Sequence, residues 1–513
     1  MNGIKKKEYG DYQTPSEFAF LILNYINSIF KIKPDLIIEP TCGKGNFLKE
    51  SLNVFPKSKL IGIDINKNYI DEAILSVNSD TATFYCGNIL DFNLSSLDIN
   101  NINSNFQILI IGNPPWITNS KLSKLNSDNL PVKKNFKNLK GIDALTGLSN
   151  FDICEYIFLK LINFFKDSNT IIALLCKTTV ARNVFAEMHR QKINFNFARI
   201  VKFDAKKIFN VSVDACLFIL RLSSENEKLQ NYEVCDISNN SNIREFVKIK
   251  NNMLISENNN YDFDGKCNFV WRQGVKHDCV NIMELYKKDN ILFNKLNERV
   301  DIEEDLLFPL IKSSSLKNRI INEYSKYIIL TQKYIGEDTN YIYLKYPKTW
   351  KYLKNNEKYF LKRKSSIYNK SKPFSIFGVG DYSFSKYKVG VSGFYKKPLF
   401  SLILSNLSNK PVIMDDTCYF LSFNTYSEAY IIMLALNSFK VQEFLKNISF
   451  IDSKRPYSKK ILDRIDFIKI FDCLTYNELK NCEENNNMKP YLSKDLYNNF
   501  KNSLRDYEAP SFL

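Results

Sequence analysis

Five short apolar runs punctuate the first 220 residues, at 36–39, 60–64, 108–111, 171–175 and 215–220. Each is apolar on both faces, the pattern of strands buried between two covering layers. Between them, stretches such as 151–165 repeat apolar residues at the three- and four-residue spacing of a helix. Strands alternating with helices in this way predict a mostly parallel, helix-covered sheet. From Ser223 to about Asn260 the pattern turns polar, rich in Ser, Asn and Glu, as a connection or inserted arm would be. Strand-like runs continue beyond it without regular alternation. The expected division is therefore 1–222, a connecting region or arm over 223–300, and an α+β domain over 301–513.

Composition adds a charge to this plan. Lys and Arg number 71 against 55 Asp and Glu, a formal net charge of +16. A surplus of that size favours a polyanionic partner, because each phosphate neutralised releases counterions. A solvated basic surface, or a bias toward Lys and Asn, would produce the same surplus. Eleven cysteines occur without a Cys-x-x-Cys pair, and only two histidines accompany them. That spacing argues against zinc ligation, and no metal is expected. The first residues lack a secretory apolar core, and no apolar stretch reaches the roughly 20 residues that span a bilayer. A cytoplasmic protein with reduced thiols and no membrane partner is expected.

The chemistry lies where the apolar runs end. The run at 36–39 leads into Glu39-Pro-Thr-Cys-Gly-Lys-Gly45 and then a helical pattern, so Gly43 and Gly45 would let the backbone approach a ligand closely. Glu39 could neutralise a cationic amino acid moiety. The next run ends in Asp64, about 20 residues on, where nucleotide-binding α/β domains place the acid that holds ribose hydroxyls. A further strand candidate, 83–90, offers Asn88 and apolar neighbours suited to an adenine. The run at 108–111 closes in Gly112-Asn-Pro-Pro-Trp116. Two consecutive prolines fix two φ angles and remove two backbone donors. The result is a stiff corner of carbonyl and amide acceptors beside an aromatic face, suited to an exocyclic amino group. In an open α/β sheet, ligands sit beyond the carboxyl ends of the strands, so one crevice collects all four features.

Taken in order, Tyr12-Gln-Thr-Pro15, Glu39 to Gly45, Asp64, Asn113-Pro-Pro-Trp116 and Lys207-Ile-Phe-Asn210 resemble the motifs of gamma-class N6-adenine DNA methyltransferases. These are the modification enzymes of type II restriction–modification systems, and the resemblance covers roughly the first 220 residues. It implies an α/β Rossmann-like methyltransferase domain with a C-terminal α+β DNA target-recognition domain. It implies S-adenosylmethionine as cofactor, held by Thr14, Pro15, Glu39, Thr41, Gly43, Gly45, Asp64, Ile65, Asn88 and Asn113. Catalysis would fall to Asn113, Pro114, Pro115 and Trp116, with Trp116 and Phe209 sandwiching a flipped-out target base. The partner would be double-stranded DNA, the enzyme a monomer, and a cognate restriction endonuclease its functional counterpart. Asn88 stands where the family usually has Asp, with Asp91 a rival for the adenine contact. Trp116 replaces the commoner Tyr or Phe.

The second half supplies Lys and Arg interleaved with Tyr, Ser and Gly, the residues a DNA surface uses for phosphates and close approach. Arg363, Lys364, Tyr382, Lys386, Lys388, Lys454 and Arg455 are the candidate contacts there, and Trp271-Arg-Gln-Gly-Val-Lys-His-Asp278 resembles a segment of the recognition arms of some gamma-class enzymes, which implies Arg272, Gln273 and Lys276 as further contacts. His277 beside Asp278 is read as structural or DNA-contacting rather than as an acid–base centre, and the pair Asp415 and Asp416 as structural rather than as a nuclease site. Methylation of RNA adenine or protein glutamine, and a catalytically silent DNA-binding protein, are the competing readings.

Overall fold

The computed structural model describes residues 12–97, 106–117, 152–223, 229–237, 243, 245–250, 253–257, 261–369, 371–405, 410–450, 453, 455–486 and 488–506. They form two compact units, divided between Asn258 and Asn259. Among them no helix is long and apolar enough to cross a membrane.

Among the described residues, the first unit is built on a ten-stranded sheet. Its strands are β1 (Leu36–Glu39), β2 (Lys59–Asp64), β3 (Ala82–Cys86), β4 (Ile108–Gly112), β5 (Thr170–Lys177), β6 (Phe195–Phe203), β7 (Ala215–Leu222), β8 (Asn231–Asp236), β9 (Glu245–Lys250) and β10 (Met253–Ser256). They lie in the spatial order β10-β9-β8-β6-β7-β5-β4-β1-β2-β3. From β3 across to β5 every pairing is parallel. β7 then runs antiparallel between β5 and β6. The apolar runs are strands for the expected reason: β1 and β4 are buried along their whole length.

Among the described residues, six α-helices accompany the sheet: α1 (Ser16–Phe30), α2 (Asn46–Val54), α3 (Lys67–Val77), α4 (Ile153–Phe165), α5 (Thr178–Arg190) and α6 (Ala205–Phe209). α1 buries Phe18, Ala19, Ile22, Leu23 and Ile26, the spacing of one helical stripe. α4 is capped by Asp152, whose side chain accepts from the Cys154 N–H. The segment 223–300 does not behave as one connection. β8, β9 and β10 extend the first sheet, whereas residues from 261 onward pack in the second unit. Polar flanks made these short strands look like a linker.

The second unit holds a five-stranded and a six-stranded sheet with helices, an α+β arrangement. The five-stranded sheet runs Arg272–Gln273, Cys418–Phe423, Tyr387–Ser392, Ser401–Leu404, Ile320–Ile321 in spatial order.

Candidate active site

The strand order of the first unit reverses between β1 and β4, and a cavity of about 420 Å³ opens at the carboxyl ends of these strands. β1 delivers Glu39 and Thr41, β2 delivers Asp64, Ile65 and Asn66, β3 delivers Gly87 and Asn88, and β4 delivers Asn113 and Pro115. Ile153 and Ile157 of α4 close one side. The four features read from separate strand ends do share one crevice.

The turn after β1 is stitched to β2. Asp64 accepts from the Gly43 N–H at 2.8 Å and from the Asn66 N–H at 2.8 Å. A carboxylate keeps lone pairs beyond these two bonds. Glu39 is buried, and its Oε2 has no hydrogen-bond partner among the described residues; the same holds for Thr41 Oγ1. Burial, and secondarily the neighbouring Asp64 charge, push the Glu39 pKa well above the ordinary carboxylate range. An acid held in that state gains most from a cation placed against it. The N-terminal segment crosses the crevice on three ties: Asn113 Nδ2 to the Tyr12 carbonyl (2.8 Å), the Lys44 N–H to Gln13 Oε1 (3.2 Å) and Asn46 Nδ2 to the Thr14 carbonyl (2.7 Å).

The Asn-Pro-Pro-Trp corner is braced from behind. Lys177, the last residue of β5, donates to the Trp116 carbonyl (2.9 Å) and to Asp152 (2.6 Å). The Trp116 indole N–H donates to the Leu175 carbonyl at 3.2 Å. Because Asn113 spends its amide nitrogen on Tyr12, its side-chain oxygen is left as the acceptor.

Several expected residues stand elsewhere. Pro15 is exposed and caps α1 instead of lining the crevice. Gly45 (φ 77°) does not line it either: a Cβ there would lie 3.1 Å from Ala73 and Val77, so the glycine lets α2 pack closely on α3. Pro114 and Trp116 are buried, and Trp116 belongs to the hydrophobic core. Trp116 and Phe209 meet edge to face with centroids 5.6 Å apart, so no slot for a base lies between them. Asn88 lines the crevice and Asp91 does not, although the Asn88 oxygen already accepts from the Leu90 N–H (3.1 Å). Gln13, Asn46, Asn66 and the α4 isoleucines went unnoticed in the sequence. Gln13 could have been found, since it sits inside the Tyr12 to Pro15 motif.

In the second unit, Arg272, Gln273, Lys364 and Lys386 are exposed. Arg272 stacks over the half-buried Tyr382 ring at 4.6 Å, and Gln273 donates to the Asp416 carbonyl at 2.7 Å. Lys276 lies 3.5 Å from Asp278. Gly274 is threaded so tightly that a Cβ would lie 2.2 Å from the carbonyls of Met414 and Asp415. Three expected contacts are otherwise engaged. Arg363 donates to the carbonyls of Phe360 (3.1 Å) and Ser375 (2.6 Å) and stacks on Tyr368 at 3.7 Å. Lys388 is buried with its amine on the Ser385 carbonyl (2.7 Å), and burial lowers its pKa to about 7. Arg455 donates to the Asp416 carbonyl at 2.9 Å. Lys454 lies outside the described residues. His277 and Asp415 are buried around Lys312 and Glu284, with Lys312 Nζ 2.5 Å from Glu284 and 3.5 Å from Asp415. That is a structural ion network.

A Rossmann-like sheet with an acid-lined crevice at its switch point, closed by Asn-Pro-Pro-Trp, defines an S-adenosylmethionine-dependent methyltransferase. No family model matches the chain. The type II methyltransferase M.NspV of a Nostoc species is 43% identical over 474 residues, 90% of this chain and 96% of its own. Among solved structures, the methyltransferase subunit of a type I restriction–modification system from Streptococcus thermophilus is 14% identical, with a TM-score of 0.33 over 44% of this chain and 46% of that one. The plantazolicin methyltransferase BpumL, in complex with SAH, is 13% identical, with a TM-score of 0.24 over 40% of this chain and 82% of that one. At such scores the family rests on the sequence relative. The chain belongs to the type II methyltransferases.

The crevice fits the cofactor on its own evidence. The orphaned Glu39 and Thr41 oxygens match an ammonium or another donor, and Asp64 at the β2 end matches vicinal hydroxyls. Bound there, S-adenosylmethionine supplies a methyl group on a sulfonium, a leaving group that departs neutral.

Proposed function

We propose that this chain methylates N6 of an adenine flipped out of double-stranded DNA, serving in the cytoplasm as the modification enzyme of a type II restriction–modification system. The observation that carries this is the bonding of Asn113: its amide nitrogen is tied to the Tyr12 carbonyl, which leaves the amide oxygen of this crevice-lining residue as the acceptor. The N6 lone pair of adenine is delocalised into the ring. Asn113 Oδ1 and the Pro114 carbonyl accept the two amino protons, draw the nitrogen toward tetrahedral geometry and free that pair for in-line attack. The chain contributes mainly positioning and electrostatics.

A base inside a duplex cannot reach the crevice, so it must be extruded. Trp116 and Phe209 touch each other, so stacking a base requires the rings to part; the roughly 1–3 kcal/mol of base–aromatic stacking then helps to offset extrusion. The exposed Arg272, Gln273, Lys364 and Lys386 supply DNA contacts from the second unit. Of these, Arg272 is pre-organised on Tyr382 for a base edge.

The test is nucleoside mass spectrometry of unmethylated genomic DNA incubated with the purified protein and S-adenosylmethionine. N6-methyladenine that appears only with cofactor supports the reading. Label in RNA or protein instead overturns the substrate, and no transfer at all favours a silent DNA-binding protein.

A further inference from the structure

Lys160, in α4, performs a task that the transfer chemistry does not call for. Its Nζ donates to three backbone carbonyls at once, those of Ile89 (2.8 Å), Leu90 (3.0 Å) and Phe92 (2.7 Å). An ammonium has three protons, and here they face three acceptors gathered from four consecutive residues. Those residues form the turn that follows β3. The turn closes on Asn88, whose carbonyl accepts from the N–H groups of Asp91 (3.0 Å) and Phe92 (2.8 Å). Tyr156, also in α4, reaches the Leu90 carbonyl at 3.4 Å.

The same turn presents Gly87, Asn88, Ile89 and Leu90 to the crevice, so the carbonyl side of the turn faces Lys160 while its other side lines the ligand space. Ile153, Ile157 and Lys160 lie four and three residues apart, along one face of α4. The helix thus gives the crevice two apolar side chains and, one turn further on, clamps the turn that forms another part of its lining. Carbonyl dipoles pointing at one spot repel each other. A positive charge reverses that, and the resulting charge-assisted hydrogen bonds are stronger than neutral ones.

We infer that Lys160 is a positioning residue for cofactor binding: it holds the turn at 88–92 as the wall on which the adenine of S-adenosylmethionine packs. It sets cofactor affinity without touching a reacting atom. The inference rests on the crevice being the cofactor site with Asn88 on its adenine side, and not on DNA being the substrate.

The experiment compares the full chain with its Lys160→Met and Lys160→Arg variants. Dissociation constants for S-adenosylhomocysteine and for 5′-methylthioadenosine are measured by calorimetry, alongside KM, kcat and the melting temperature. In Lys160→Met, both dissociation constants and the KM for S-adenosylmethionine should rise about tenfold, the scale of one missing charge-assisted hydrogen bond, with kcat within about twofold. Lys160→Arg keeps the charge and should recover part of the affinity. A lowered melting temperature with unchanged dissociation constants would make Lys160 merely structural and overturn the inference. So would a loss confined to kcat. If Lys160→Met does not fold, unchanged affinity in the Arg variant and in Lys160→Gln overturns it equally. A wild-type chain that binds S-adenosylhomocysteine but methylates no DNA would defeat the proposed function while leaving this comparison decisive.

Discussion

Replacing Asn113 with alanine removes one acceptor from the crevice lining and one tie to Tyr12, but none of the bonds that hold the glycine turn to Asp64. kcat should fall by at least about 10²-fold, as when one oriented polar group is lost from a transition state, with the affinity for S-adenosylhomocysteine nearly unchanged. Ordinary turnover would remove Asn113 from catalysis. Glu39 predicts effects of opposite sign. An acid whose folded pKa is raised binds more protons folded than unfolded, so it lowers stability as pH climbs above the usual carboxylate range toward the raised value. Glu39→Gln should raise the melting temperature at pH 7 relative to wild type, flatten that dependence and weaken cofactor binding; a variant that melts lower and binds normally would contradict both halves. Lys388 runs the other way. Its folded pKa, lowered by burial to about 7, means fewer protons bound when folded, so stability rises with pH from about 7 toward the ordinary lysine range. Melting curves at pH 7 and pH 9 should show that slope in wild type and lose it in Lys388→Met. At this scale the motif residues were legible because their chemistry restricts their type: an Asn followed by two prolines makes a stiff acceptor corner. Burial was not legible. Lys388 and Arg363 look like any surface cation until the strand and helix around them are placed.

At the scale of elements, the strand runs read from the pattern match β1, β2, β4, β5 and β7 to within a few residues, and the helix expected at 151–165 is α4 at Ile153–Phe165. Strands buried on both faces announce themselves as short apolar runs. β6 does not, because Asn196, Arg199 and Lys202 interrupt it, and Arg199 is held there by Glu233 at 2.5 Å. The polar neighbours of β8 to β10 concealed them in the same way. Gly45 shows how a motif residue can serve an element rather than a ligand. With φ at 77° and Ala73 and Val77 3.1 Å from any Cβ, Gly45→Ala should cost about 1–3 kcal/mol of stability through strain and overpacking. Its dissociation constant for S-adenosylhomocysteine should stay close to wild type. Denaturant titration beside calorimetry checks this, and a stable variant that binds poorly would return Gly45 to the cofactor.

Across the whole molecule, the net charge of +16 is not evenly spread. Between 341 and 364 the chain carries seven lysines and one arginine against a single glutamate, and all seven lysines are exposed. These residues build the helices Tyr341–Lys345, Pro347–Asn355 and Glu357–Leu361. If this face follows a phosphate backbone, changing Lys345, Lys351, Lys362 and Lys364 together to glutamine should flatten the salt dependence of DNA binding. The slope of log K against log salt should fall by about 0.9 for each phosphate that is no longer neutralised. An unchanged slope would mark the lysines as a solvated surface.

By itself the sequence determined the parts that depend on local chemistry: an α/β first half, a glycine turn followed by an acid at the next strand's end, and an Asn-Pro-Pro-Trp corner after a buried strand. Those signals survive in one dimension because backbone geometry and strand burial constrain residue types over a few positions. Only the tertiary structure decided which residues meet. Strand order brings four distant strand ends to one crevice, sends Pro15 and Gly45 to helix capping and helix packing, and closes Trp116 on Phe209. It also sets Lys160 against the turn about 70 residues before it. Contacts of that kind depend on long-range packing, which hydrophobic periodicity does not encode.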